Sequence, residues 1–85
     1  MEYFYKTKGT CSRSIRFSIE DGKLRDVRFE SGCNGNLQGI GKLVEGMDAE
    51  ECVRKLKGIR CGFKDTSCPD QLAHAIEGAL AESAG

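Results

Sequence analysis

Residues 12–30 read S-R-S-I-R-F-S-I-E-D-G-K-L-R-D-V-R-F-E, and no other stretch restricts the fold as strongly. Ile15, Phe17 and Ile19 fall on one side of a period-two pattern, and Arg16, Ser18 and Glu20 on the other. That is the pattern of a strand with one buried face. Asp21-Gly22 follows, a dipeptide suited to a two-residue hairpin turn because both central positions need positive φ. Lys23 to Glu30 then runs back, with Val27 and Phe29 expected on the inner face. Upstream, Glu2 to Thr7 (E-Y-F-Y-K-T) is aromatic-rich and suits a short strand. The chain therefore opens with an antiparallel meander of about three strands.

The pattern then changes period. Asn36 to Glu45 places Leu37, Ile40 and Val44 at helical spacing, weakened by Gly39 and Gly41, which would let a strand or another helix approach closely. Asp48 and Glu51 form a capping-box-like start to a second helix whose apolar face is Ala49, Cys52, Val53 and Leu56, and Gly58 ends it. A third helix is predicted from about Cys68, with Pro69 at its first position and Asp70 in its first turn. Its buried stripe is Leu72, Ala73, Ile76, Ala79 and Leu80, and the tail from Glu82 to Gly85 is expected to fray. There is no internal repeat, linker or low-complexity segment. Strands followed by helices predict one α+β domain over residues 1–85, with about three helices packed on one face of the sheet.

Thirteen basic and thirteen acidic residues balance to zero net charge, which argues against charge-driven binding to nucleic acid or membrane surfaces. No apolar run approaches membrane-span length, and M-E-Y-F-Y-K-T-K-G-T lacks a signal-peptide core, so a cytoplasmic setting is expected. Against that setting, five cysteines in 85 residues are informative. An odd number without a secretory leader points to metal or redox work rather than a disulfide framework.

Position separates the five. Cys52 lies on the apolar face of the second helix and reads as a core residue. Cys68, in T-S-C-P-D, sits at or beside a helix N-cap, where orphan N–H groups and the dipole favour a thiolate. Ser67 can cap that helix, so capping does not require a sulfur. Cys33, in S-G-C-N-G-N, also approaches a helix start, with Asn34 or Asn36 able to cap. Cys11 (K-G-T-C-S) and Cys61 (G-I-R-C-G) lie in junctions between elements, where sites are commonly built. Four thiols could hold zinc, three could hold a metal or cluster with an open position, and two could form a redox dithiol. No C-x-x-C knuckle is present. Lys64 reads as a solvated turn residue or a stabiliser of a thiolate, and His74 as a solvated helix histidine.

G-C-N-G-N-L-Q-G-I at 32–40, L-K-G-I-R-C-G at 56–62 and T-S-C-P-D-Q-L at 66–72 resemble the TSCPD-domain proteins, over nearly the whole chain from Cys11 to Leu80. Similar domains occur at the C-terminus of adenosylcobalamin-dependent ribonucleotide reductases, and stand-alone members often carry a ribonucleoside-diphosphate reductase label. The resemblance implies a link to deoxynucleotide synthesis. A more distant resemblance is to iron–sulfur scaffold proteins of the NifU/SufE-like fold, in which three cysteines converge on one metal or cluster. By position these correspond to Cys11, Cys33 and Cys68. The scaffolds place an acidic residue two positions after the first cysteine, where this chain has Arg13, a departure that leaves room for a static metal or a redox thiol.

Eighty-five residues cannot build the barrel that ribonucleotide reduction needs, and G-N-L-Q-G-I-G lacks the lysine and spacing of a phosphate loop. Three expectations stand side by side. The first is an accessory domain of ribonucleotide reductase binding zinc or an iron–sulfur cluster through Cys11, Cys33, Cys61 and Cys68, supported by Asn34, Asn36, Lys64, Ser67 and Asp70. The second is a dithiol carrier using Cys61 and Cys68, or Cys33 and Cys68. The third is an interaction module with inert thiols. The Tyr3 to Tyr5 strand is suited to pairing across a homodimer, although edge aromatics are common without that role.

Overall fold

The computed structural model describes residues 2–7, 13–30, 34–60, 62 and 66–84. Strands β1 (Glu2–Lys6), β2 (Ser14–Glu20) and β3 (Lys23–Glu30) precede helices α1 (Asn34–Val44), α2 (Ala49–Leu56) and α3 (Cys68–Ala84). The sheet is antiparallel in the order β1-β2-β3, as the meander predicts. Asp21 (φ 54) and Gly22 (φ 76) both take the left-handed conformation, so the D-G turn forms as its sequence dictates.

β3 departs from simple alternation. Arg16 pairs with Arg28, but Ser18 pairs with Arg25, so one extra residue is inserted on β3 opposite Phe17. Asp26, at φ 53, sits in this bulge, and its N–H donates to Glu45 Oε1 at 2.9 Å. A bulge switches the face of every residue beyond it. Leu24 and Val27 are therefore both buried, with Phe29 half-buried, rather than Val27 and Phe29 alone facing inward.

Ile15, Phe17, Leu24 and Val27 pack with Val44, Ala49, Cys52, Leu72 and Ile76 in one core between the sheet and the helices. Tyr3 stacks on Phe17 with ring centroids 5.4 Å apart. At Gly41 an added Cβ would meet the Val27 carbonyl oxygen at 2.7 Å, so glycine there sets how closely α1 lies on β3; Gly39 has open space. Gly41→Ala gains helix propensity but forces backbone against backbone. It should lower stability by about 1–3 kcal/mol, read from denaturant midpoints, whereas Gly39→Ala should not.

The helix ends differ in detail from the sequence reading. α1 begins two residues before Asn36. Asp48 occupies the N-cap of α2 without a side-chain cap hydrogen bond. Its carboxylate lies 3.7 Å from Lys23 Nζ instead, so the capping box does not form. Tertiary pairing explains this, because the Ala49 N–H donates to Gly22 O at 2.8 Å and Leu24 exchanges backbone hydrogen bonds with Gly46 and Met47. The α1–α2 connection thus covers the outer edge of β3 at its start. α3 has Cys68 as its first residue and Pro69 as its second, and it continues through Ala84 rather than ending before Glu82. Leu80 shares a shallow cleft with Gly22 and Ala49 beside the β2–β3 turn. The N-terminus of α3 is therefore directed toward the opposite end of the sheet, where Thr7, Arg13 and Glu30 lie. Among the described residues, no helix is long and apolar enough to cross a membrane.

Candidate functional site

Ser67 starts α3. The Asp70 N–H donates to Ser67 Oγ at 3.2 Å, and the Gln71 N–H donates to Ser67 O at 2.8 Å. Pro69 suits this first turn because it has no N–H to leave unpaired. The Ser67 hydroxyl also donates to Ile59 O at 2.6 Å, which ties the chain just beyond α2 to the start of α3.

Asp70 makes the second tie. α2 ends with Gly58 at φ 90, a conformation that favours glycine. The Gly58 N–H donates to Asp70 Oδ1 at 2.6 Å. The Thr66 hydroxyl donates to Asp70 Oδ2, and Thr66 Oγ1 accepts from Gln71 Nε2 at 3.0 Å. His74 Nε2 stands 3.2 Å from the same carboxylate oxygen. Burial by itself would raise the pKa of this carboxyl group. The hydrogen bonds from Thr66 and Gly58 and the nearby His74 outweigh that, holding it below the ordinary aspartate value. His74 is half-exposed but engaged with Asp70, and its Nδ1 lies 3.6 Å from Glu77, so it is more than a solvated surface residue. Lys57 Nζ donates to Glu77 Oε2 at 2.9 Å, a further link from the end of α2 to α3.

Thr66, Ser67 and Asp70 therefore form a clamp. It fastens Gly58 and Ile59 to the first turn of α3, and Cys68 sits inside that turn, 7% exposed. In sequence, the segment between the fastened ends carries Cys61 and Lys64. Asp70, read from sequence as a first-turn charge, is a buried junction, and Thr66 and Gln71 are partners the sequence reading did not single out. The S-x-x-D spacing was the available signal.

A second convergence lies at the sheet end toward which α3 points. The Thr7 N–H donates to Arg13 O at 3.1 Å, and the Arg13 N–H donates to Glu30 O at 2.7 Å. In sequence, Cys11 lies two residues before Arg13 and Cys33 three after Glu30. Ser14, next in β2, buries its hydroxyl, and among the described residues Ser14 Oγ has no hydrogen-bond partner.

Cys11, Cys33, Cys61 and Lys64 lie outside the described residues. Asn34 begins α1 and Asn36 is exposed on it. Among the described residues, no group of three or more histidine, cysteine or acidic side chains is placed to hold a metal ion. Cys52 is fully buried, and burial pushes its thiol up to about 11. Alkylation of the folded protein at pH 8, followed by mass mapping, should leave Cys52 unmodified until the protein unfolds.

The model of the family described as the TSCPD domain matches residues 3–80. No curated protein and no solved structure matches the chain.

Proposed function

Since the chain belongs to the TSCPD-domain family, we propose that it is an accessory domain of ribonucleotide reductase that binds zinc or an iron–sulfur cluster through Cys11, Cys33, Cys61 and Cys68. The observation that carries this reading is the clamp around Cys68. Three of the five residues in T-S-C-P-D spend their side chains fixing the backbone on either side of one cysteine. Such support around a thiol is what a ligand needs to be held in place. Cys11 and Cys33 lie close in sequence to Arg13 and Glu30, which are joined by a 2.7 Å backbone hydrogen bond, and this supports a site that includes both. Four thiolates favour zinc, and three with an open position favour iron or a cluster. The likeness to NifU/SufE-like scaffolds belongs to the three-ligand version. The reductase is assigned as partner from the sequence resemblance, and the domain acts beside the catalytic barrel rather than in its place.

The test is native mass spectrometry of protein purified without oxygen or chelator. Bound metal is expected in the parent chain and in Cys52→Ala, and is expected to be lost in Cys33→Ser and Cys68→Ser. Stoichiometric metal retained in both serine variants would sink the proposal. The hydrogen bond from Ser67 to Ile59, two residues before Cys61, favours a second reading in which Cys61 and Cys68 form a reversible dithiol. Metal-free protein two hydrogens lighter than the fully reduced chain would select it.

A further inference from the structure

The two edges of the sheet are treated differently. The start of β3 is covered by the α1–α2 connection, which exchanges hydrogen bonds with Leu24. β1 is the other edge, and no described segment pairs with its outer side. In an antiparallel pair, directly opposed residues alternate between those that exchange hydrogen bonds and those that do not. The Thr7 N–H donates to Arg13 O at 3.1 Å, so Thr7 opposite Arg13 is a bonding pair. Two and four residues back, Tyr5 opposite Ile15 and Tyr3 opposite Phe17 are bonding pairs too. The main-chain groups of Glu2, Phe4 and Lys6 consequently point away from β2, along the open edge. All three residues are exposed, and Phe4 is 61% exposed on the outer face, with the Arg16 guanidinium 5.5 Å from its ring centre.

The sequence along that edge is E-Y-F-Y-K, and its charges and aromatics are arranged symmetrically about Phe4. We propose that β1 is a homodimer interface, pairing antiparallel with β1 of a second copy about a two-fold axis at Phe4. In this register Phe4 opposes its own copy, and Glu2 opposes the partner's Lys6 at both ends. Those are the residues whose N–H and C=O groups are directed outward, so each opposed pair exchanges both of its hydrogen bonds. Tyr3 falls opposite the partner's Tyr5, on the side of the sheet that carries the core. The groove there, between Tyr3 and Tyr5 of β1 and Ala75 and Ala79 of α3, opens onto the same edge. The two sheets join into one, which removes an exposed edge that would otherwise template unselective pairing. A second copy fits better than an arbitrary strand because the match of charge, aromatic and hydrogen-bond direction is with the segment itself.

This interface uses none of the motif cysteines, so its test is separate from metal loading. Sedimentation equilibrium of the full chain with reducing agent present should show a concentration-dependent dimer. Glu2→Lys and Lys6→Glu each set like charges opposite one another at both ends, and each should weaken the dimer about thirtyfold. The double variant Glu2→Lys/Lys6→Glu restores opposite charges and should recover the dimer. Phe4→Pro removes an outward N–H that β2 does not use, so it should give a monomer that still unfolds cooperatively. A parent chain that stays monomeric to about 1 mM would overturn the proposal. So would a dimer insensitive to both single charge changes, or a loss that the double change fails to rescue.

Discussion

Asp70→Ala should lower the stability of the domain by about 3 kcal/mol and loosen the segment between α2 and α3. The carboxylate accepts from the Gly58 N–H and the Thr66 hydroxyl and stands beside His74. Asp70 is only 4% exposed, so water cannot readily replace it. Removing one partner of a buried, charge-assisted set leaves the others desolvated and unmatched, which is why the loss exceeds that of an ordinary hydrogen bond. In a domain of this size, each kcal/mol shifts the melting temperature by roughly 4–8 °C. Thermal unfolding followed by circular dichroism measures the loss, and a Tm within a degree of the parent would contradict the clamp. The pH dependence has a definite sign. The folded pKa lies below the unfolded value near 3.8. The contribution is therefore complete above that unfolded value and is lost as pH falls through the folded one. Asp70→Asn should flatten the acid limb of the stability profile below about pH 4 and leave its shape near neutrality unchanged.

The largest loss from a core substitution is expected at Phe17. Its side chain is 1% exposed, stacks on Tyr3 and lies opposite the bulge at Asp26. Phe17→Ala removes a ring from the centre of the sheet face and leaves a cavity that the hydrogen-bonded strands cannot easily close. A loss of about 3–5 kcal/mol is expected, enough to leave much of so small a domain unfolded at 25 °C. Urea unfolding at matched temperature checks it, and a loss below about 1 kcal/mol would mean that the site collapses around the change. Asp70 and Phe17 perturb different layers. If the domain binds metal as proposed, the first should reduce metal loading through the Cys68 turn more than its stability loss alone accounts for, and the second only in proportion to unfolded protein.

Much of the fold was readable along the chain because its signals are local. The alternation of Ile15, Phe17 and Ile19, the D-G turn and the stripe of Leu72, Ile76 and Ala79 each act over a few residues, and each formed as read. Ser67 as the cap of α3 was legible for the same reason, since a cap acts on N–H groups within one turn. The identity of the motif cysteines as a candidate set also came from the chain alone. The bulge at Asp26 did not, because its position depends on Glu45 reaching back from the end of α1. Asp48 looked like a capping-box residue until β3 supplied competing partners for its neighbourhood.

What the amino-acid sequence determined by itself was the order of elements, the buried face of most of them, and the place of Cys52 in the core. Local periodicity and turn chemistry act through neighbours in sequence, so they survive without knowledge of the fold. What only the tertiary structure decided was the work of T-S-C-P-D. Asp70 meets Gly58 across twelve residues and Ser67 meets Ile59 across eight. Side chains so far apart along the chain become partners only when the packing of α2 against α3 brings them within hydrogen-bond distance.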